Sequence, residues 1–92
     1  MEKLDDGARR NLPDSLPDWT IDGEILERTF TFPDFGASIG FVTRVAILAE
    51  KANHHPDIDI RWNRVRLALT THDAGGLTDN DVSLARAIDE LG

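Results

Sequence analysis

Between Pro33 and Pro56 the chain runs without a proline, and apolar side chains recur along it at steps of three or four. Phe35, Ile39, Val42, Val45 or Ala46, Ala49 and Ala52 fall on one side of a helix drawn at 3.6 residues per turn. Asp34 is placed to cap the first turn, and Pro56 forbids continuation. The predicted helix, from Asp34 to about Asn53, would be about 30 Å long, the width of a small domain. Everything else must be arranged against it, and Ala46, Ala49 and Ala52 would let a sheet approach closely.

The flanking segments carry the signs of strands. Trp19–Ile21, then Asp22-Gly23, then Glu24–Phe32 predict two strands joined by a tight turn, because glycine accepts the positive φ the turn demands. Thr29–Phe32 suits a half-buried strand that Pro33 ends. Asp57–Trp62 and Asn63–Thr71 predict a second pair. There Val65, Leu67 and Leu69 alternate with Arg64, Arg66 and Ala68, so one face is apolar and the other mostly wet. Trp19 reads as core; Trp62 reads as core or interface before ligand stacking.

The ends complete the pattern. A short helix is expected near Leu4–Asn11, stopped before Pro13, with Leu12–Asp18 as a connector. After Gly75-Gly76, Thr78 and Asp81 have the spacing of a capping box, and Val82, Leu84, Ala85, Ile88 and Leu91 give a closing helix its buried side. The order α-ββ-α-ββ-α predicts one α+β domain over residues 1–92: a four-stranded antiparallel sheet with helices packed on one face.

A chain of 92 residues without cysteine has no disulfide, thiolate nucleophile or zinc–sulfur cage to add stability to a small core. Good packing and burial against further copies are the remaining routes, and a homodimer or homotetramer is expected. The 17 acidic and 10 basic side chains leave a formal charge of −7, which argues against nucleic acid and anionic membranes as direct ligands. Met1–Asn11 has no apolar core of a signal peptide, and no run approaches the roughly 20 apolar residues of a membrane span. A cytoplasmic protein is expected.

The chemistry concentrates in three histidines, His54, His55 and His72, all at predicted element boundaries. Imidazole can give and take a proton near neutrality, so three converging rings could supply an acid, a base and an orienting hydrogen bond. Surface decoration is the bland alternative. A three-histidine zinc site is another, although neighbours on a regular helix point about 100° apart. Glu50, one turn before His54, has the spacing for a carboxylate–imidazole contact. Asp57 and Asp59 read as strand-edge charges and Asp81 as a helix-start residue. No G-x-S-x-G, P-loop or dinucleotide fingerprint is present, which leaves acyl transfer, nucleotide hydrolysis and hydride transfer from NAD without support.

Glu50-Lys-Ala-Asn-His54-His55-Pro56, with five residues to Trp62, nine more to His72 and eight more to Asp81, resembles the signature of the pterin-4a-carbinolamine dehydratases. Thr71-His72-Asp73-Ala74-Gly75-Gly76-Leu77-Thr78 is similar to that family's stretch around its third histidine. Asn53 stands where some relatives have Asp, and Ile58 where many have an aromatic. The resemblance implies a hydro-lyase that removes water from 4a-hydroxytetrahydropterin, giving quinonoid dihydropterin in tetrahydrobiopterin recycling. His54, His55 and His72 would be catalytic, Pro56, Thr71, Asp73 and Ala74 would bind substrate, and Glu50 would support them. No metal and no cofactor are implied, since the pterin is the substrate. An aromatic amino-acid hydroxylase would be a functional partner. The family also includes, in animals, a dimerisation cofactor of a homeodomain transcription factor, so a non-catalytic oligomeric assembly role is the alternative.

Overall fold

A computed structural model describes residues 1–91. Its elements are α1 (Asp6–Ser15), β1 (Thr20–Asp22), β2 (Ile25–Thr31), α2 (Phe35–Ala52), β3 (Asp57–Arg61), β4 (Arg64–Leu69), a 3-10 turn (His72–Ala74) and α3 (Asp79–Asp89). The four strands form one antiparallel sheet in the order β1-β2-β4-β3. The alternation in β4 sets its faces as expected. Val65, Leu67 and Leu69 are fully buried beneath the helices, while Arg64 and Arg66 stand on the open face. Both edges are poor templates for further pairing: β1 is three residues long, and β3 carries Asp57, Asp59 and Arg61.

Two helices depart from their predicted form. α1 begins at Asp6, capped by the Asp5 side chain, and runs through Pro13 to Ser15. The segment read as a connector therefore begins as helix. Proline in a helix interior costs about 3 kcal/mol. Here Leu12 and Leu16 are both buried, and full burial of each contributes about 1.5–3 kcal/mol, which offsets the break. In α2 the buried line is Ser38, Phe41, Val45 and Ala49; Phe35, Ile39, Ala46 and Ala52 lie outside it, exposed. The rotation follows from Phe41, whose ring packs between Phe30 and Phe32 at centroid distances of 4.6 and 4.9 Å. Ser38 is tolerated inside because its hydroxyl donates to the Asp34 carbonyl at 3.2 Å.

Other expectations hold. Asp34 caps α2, Thr78 and Asp81 form the capping box of α3, and Val82, Leu84, Ala85 and Ile88 enter the core. Trp19 is buried, with its indole N–H donating to Asp89 at 2.8 Å. Trp62 is not core: it sits in the β3–β4 turn, 69% exposed. Among the described residues no helix is long and apolar enough to cross a membrane.

Glu24 ties three parts of the chain together. Its carboxylate accepts from the Leu77 N–H at 3.0 Å and from Arg9 at 3.0 Å, with Lys3 at 3.6 Å. The Leu77 bond, aided by Arg9 and Lys3 and opposed by desolvation, holds the carboxyl below its ordinary range. A lowered carboxyl stabilises the fold fully above the ordinary glutamate pKa, and that contribution is lost as pH falls through the lowered value. Thermal midpoints of Glu24→Gln and the parent should therefore differ most near neutrality and converge below about pH 4. A constant gap across that range would dissociate Glu24 from the acid sensitivity.

Candidate active site

The last turn of α2 decides where the histidines point. Asn53 adopts the left-handed conformation, φ 50 and ψ 44, which asparagine tolerates better than most residues. The Asn53 N–H then donates to the Glu50 carbonyl at 3.2 Å and the His54 N–H to the Ala49 carbonyl at 3.1 Å. This paired closure is a Schellman motif. It carries His54 and His55 off the helix, so the constraint of regular helical spacing no longer applies to them.

His54 turns inward, with 11% of its side chain exposed. Its Nε2 meets Oδ1 of Asp81 at 2.5 Å, and Asp81 is completely buried in the first turn of α3. The other carboxylate oxygen accepts from the Thr71 hydroxyl at 2.8 Å and from the Thr78 N–H at 2.9 Å. Proton accounting then fixes every direction. The Thr71 hydroxyl is spent on Asp81, so the Thr78 hydroxyl donates to Thr71 Oγ1 at 2.8 Å and accepts from the Asn80 N–H at 3.2 Å. A carboxylate only accepts, so His54 carries its proton on Nε2 toward Asp81, which leaves Nδ1 as an acceptor. No buried side-chain polar atom among the described residues lacks a partner.

His55 and His72 lie in the open. His55 is 58% exposed and faces the Glu50 carboxylate at 3.6 Å. Glu50 thus pairs with His55 rather than with His54, because the left-handed residue turns the chain between them. His72 opens the 3-10 turn after β4 and is exposed. One cleft of about 250 Å³ is lined by Asn53, His54, His55, Thr70, Thr71, His72 and Asp73, so both histidine-bearing segments share it. Pro56 and Ala74 flank these lining residues without forming its wall. A larger, mostly apolar cavity of about 370 Å³ between α2 and α3 also touches His54, but holds no second histidine. Trp62 is at the far end of β3, about 17 Å of strand away, and cannot stack on a ligand in this cleft. Among the described residues no group of three or more metal-ligating side chains is gathered to hold an ion.

Asp81 is the site residue that the sequence undervalued. Its helix-start role is real, through the capping box, but the same carboxylate also orients His54. The sequence signal available was its place at the end of the spaced motif. Asn53, also in the cleft wall, lies inside the same motif next to His54, whereas Thr70 had no such signal.

Residues 2–91 match the family described as pterin 4 alpha carbinolamine dehydratase. A protein of Chloroflexus aurantiacus, provisionally named pterin-4-alpha-carbinolamine dehydratase, is 65% identical over 75 residues, covering 82% of this chain and 81% of its own. A crystal structure from Brucella melitensis, described as a transcriptional coactivator/pterin dehydratase, superposes with TM-score 0.91 at 34% identity and 98% coverage of both chains. A pterin dehydratase-like protein described as a RuBisCO assembly factor of the alpha-carboxysome shares the fold, with TM-score 0.69 at 22% identity, covering 84% of this chain and 92% of its own. With nearly its whole length matched and its histidines around one cleft, the chain belongs to the pterin 4 alpha carbinolamine dehydratase family.

Proposed function

We propose that the chain dehydrates 4a-hydroxytetrahydropterin to quinonoid dihydropterin by histidine acid–base catalysis. The observation that carries this reading is His54: a ring in the cleft wall, oriented by a buried carboxylate, with one nitrogen left to exchange a proton. The 4a-hydroxyl departs as water once it is protonated, and a ring nitrogen loses its proton as the C=N bond forms. One imidazolium and one neutral imidazole on opposite sides of a flat ring perform both transfers. His54 and His72 are assigned as that pair, and His55, supported by Glu50, as the binding and orienting residue. Thr71 and Asp73 contribute the adjoining wall, with Pro56 and Ala74 behind it. The reaction so written needs no metal and no cofactor, and it fits tetrahydrobiopterin recycling beside an aromatic amino-acid hydroxylase in the cytoplasm.

The test is the decay of chemically generated 4a-hydroxytetrahydropterin, followed optically with and without the purified chain. Catalysed dehydration proportional to protein concentration is the expected result. Decay at the spontaneous rate at every concentration would leave the assembly reading standing.

That second reading, a non-catalytic oligomeric role, is favoured by one feature. Phe35, Ile39 and Ile47 on α2 are 52, 38 and 63% exposed, an apolar line suited to burial in a homodimer or homotetramer. Oligomerisation is compatible with catalysis, whereas a pure scaffold has no use for a histidine oriented toward a cleft by the buried Asp81 carboxylate.

A further inference from the structure

The tip of the β3–β4 hairpin combines three features that the cleft does not use. Trp62 is 69% exposed and has φ 52, a backbone conformation that a bulky side chain rarely adopts. Arg61 and Arg64, on either side of the turn, are directly opposed across the ladder, an arrangement of like charges that weakens a strand pair. Arg61 and Arg66 have carboxylate neighbours, Asp59 at 3.3 Å and Glu27. Arg64 forms no ion pair among the described residues. Beside the tip, the open sheet face has a shallow concavity of about 210 Å³ lined by Thr29, Asp59, Arg61, Arg64 and Arg66.

We propose that this hairpin tip docks an acidic polypeptide segment in which an apolar side chain is flanked by carboxylates. The apolar group covers the Trp62 ring, and the carboxylates meet Arg64 and Arg61. Tryptophan and arginine are the residues that most often dominate binding surfaces, and backbone strain persists where function retains it. Charge complementarity selects the partner. The chain carries −7 overall, so a long polyanion such as nucleic acid is repelled by the body, whereas a short acidic segment meets a tip where Arg61, Arg64 and Arg66 outnumber Asp59. The cations are splayed on an exposed face instead of enclosing a cavity, which fits a peptide better than a free small anion. The surface lies at the opposite end of the hairpin from the histidines, so this inference is independent of the dehydratase reading.

The test uses the full chain and two synthetic 12-residue peptides, each with one central Phe, one built on Asp and Glu and the other on Asn and Gln. Calorimetric titration should show the acidic peptide binding at least about tenfold more tightly at low salt. Arg64→Ala should weaken that binding about fivefold or more. Trp62→Gly, which suits the left-handed backbone, should keep the thermal midpoint and the dehydration rate yet also lose binding. Absence of binding, equal affinity for both peptides, or full affinity in both variants would overturn the proposal. So would a lower sedimentation mass of either unliganded variant, which would make the tip a contact between copies of this chain.

Discussion

Asp81→Asn should lower the dehydration rate about 10²-fold while leaving a folded protein. The asymmetry of the Asp81 hydrogen bonds gives the reason. The Thr78 N–H can only donate, so the asparagine oxygen must take the position that receives it and Thr71. The amide NH2 then faces His54 Nε2, which must become an acceptor, and the ring proton moves to Nδ1. In the proposed mechanism Nδ1 is thereby converted from an acceptor to a donor and can no longer exchange a proton in the same sense. With most of the network kept, the stability loss should be about 1–2 kcal/mol. Asp81→Ala should behave differently. It leaves the Thr71 hydroxyl and the Thr78 N–H buried without an acceptor, and each such group costs about 1–3 kcal/mol. Urea unfolding and kcat measured on both variants separate these effects. A wild-type kcat in Asp81→Asn would show that the tautomer of His54 has no part in the reaction.

Removing a proton-transfer partner should be as costly to turnover and much less so to folding. His54→Gln keeps a donor within reach of Asp81 but cannot exchange protons, and His72→Ala removes an exposed ring. Each is expected to lower the dehydration rate between about tenfold and 10³-fold, with His55→Ala acting more on KM than on kcat. His54→Gln should cost no more than about 1–2 kcal/mol, because the buried carboxylate retains a partner. Initial rates with a circular dichroism check on folding read both quantities. Rates near the parent in both His54→Gln and His72→Ala would remove histidine acid–base chemistry from this cleft.

Periodicity and punctuation made most of the fold legible. Pro33, Asp34, Asn53 and Pro56 bound α2 correctly, and the alternation through Val65, Leu67 and Leu69 identified the buried face of β4. What periodicity could not supply was rotation. α2 has apolar residues nearly all round, and only its aromatic contacts with Phe30 and Phe32 choose the face that turns inward. Pro13 failed as a stop signal because Leu12 and Leu16, four residues apart, both reach the core. The histidines were legible by type and position, but the contacts of the adjacent pair were not. Those contacts depend on Asn53 turning the chain, which sends His54 to a buried carboxylate 27 residues away and His55 toward Glu50.

The Asp81 cluster draws its members from three stretches of chain: the exit of α2, the end of β4 and the start of α3. None of these stretches can orient the ring by itself, so the chemistry proposed for His54 requires α3 to be docked against the ends of α2 and β4 as well as formed. A loosened molecule that kept its helices and its sheet but let α3 slip would be spectroscopically close to native and chemically inert. Natural variation that weakens the seating of α3, for example at Val82 or Ile88, would therefore act as loss of function long before it registered as loss of structure.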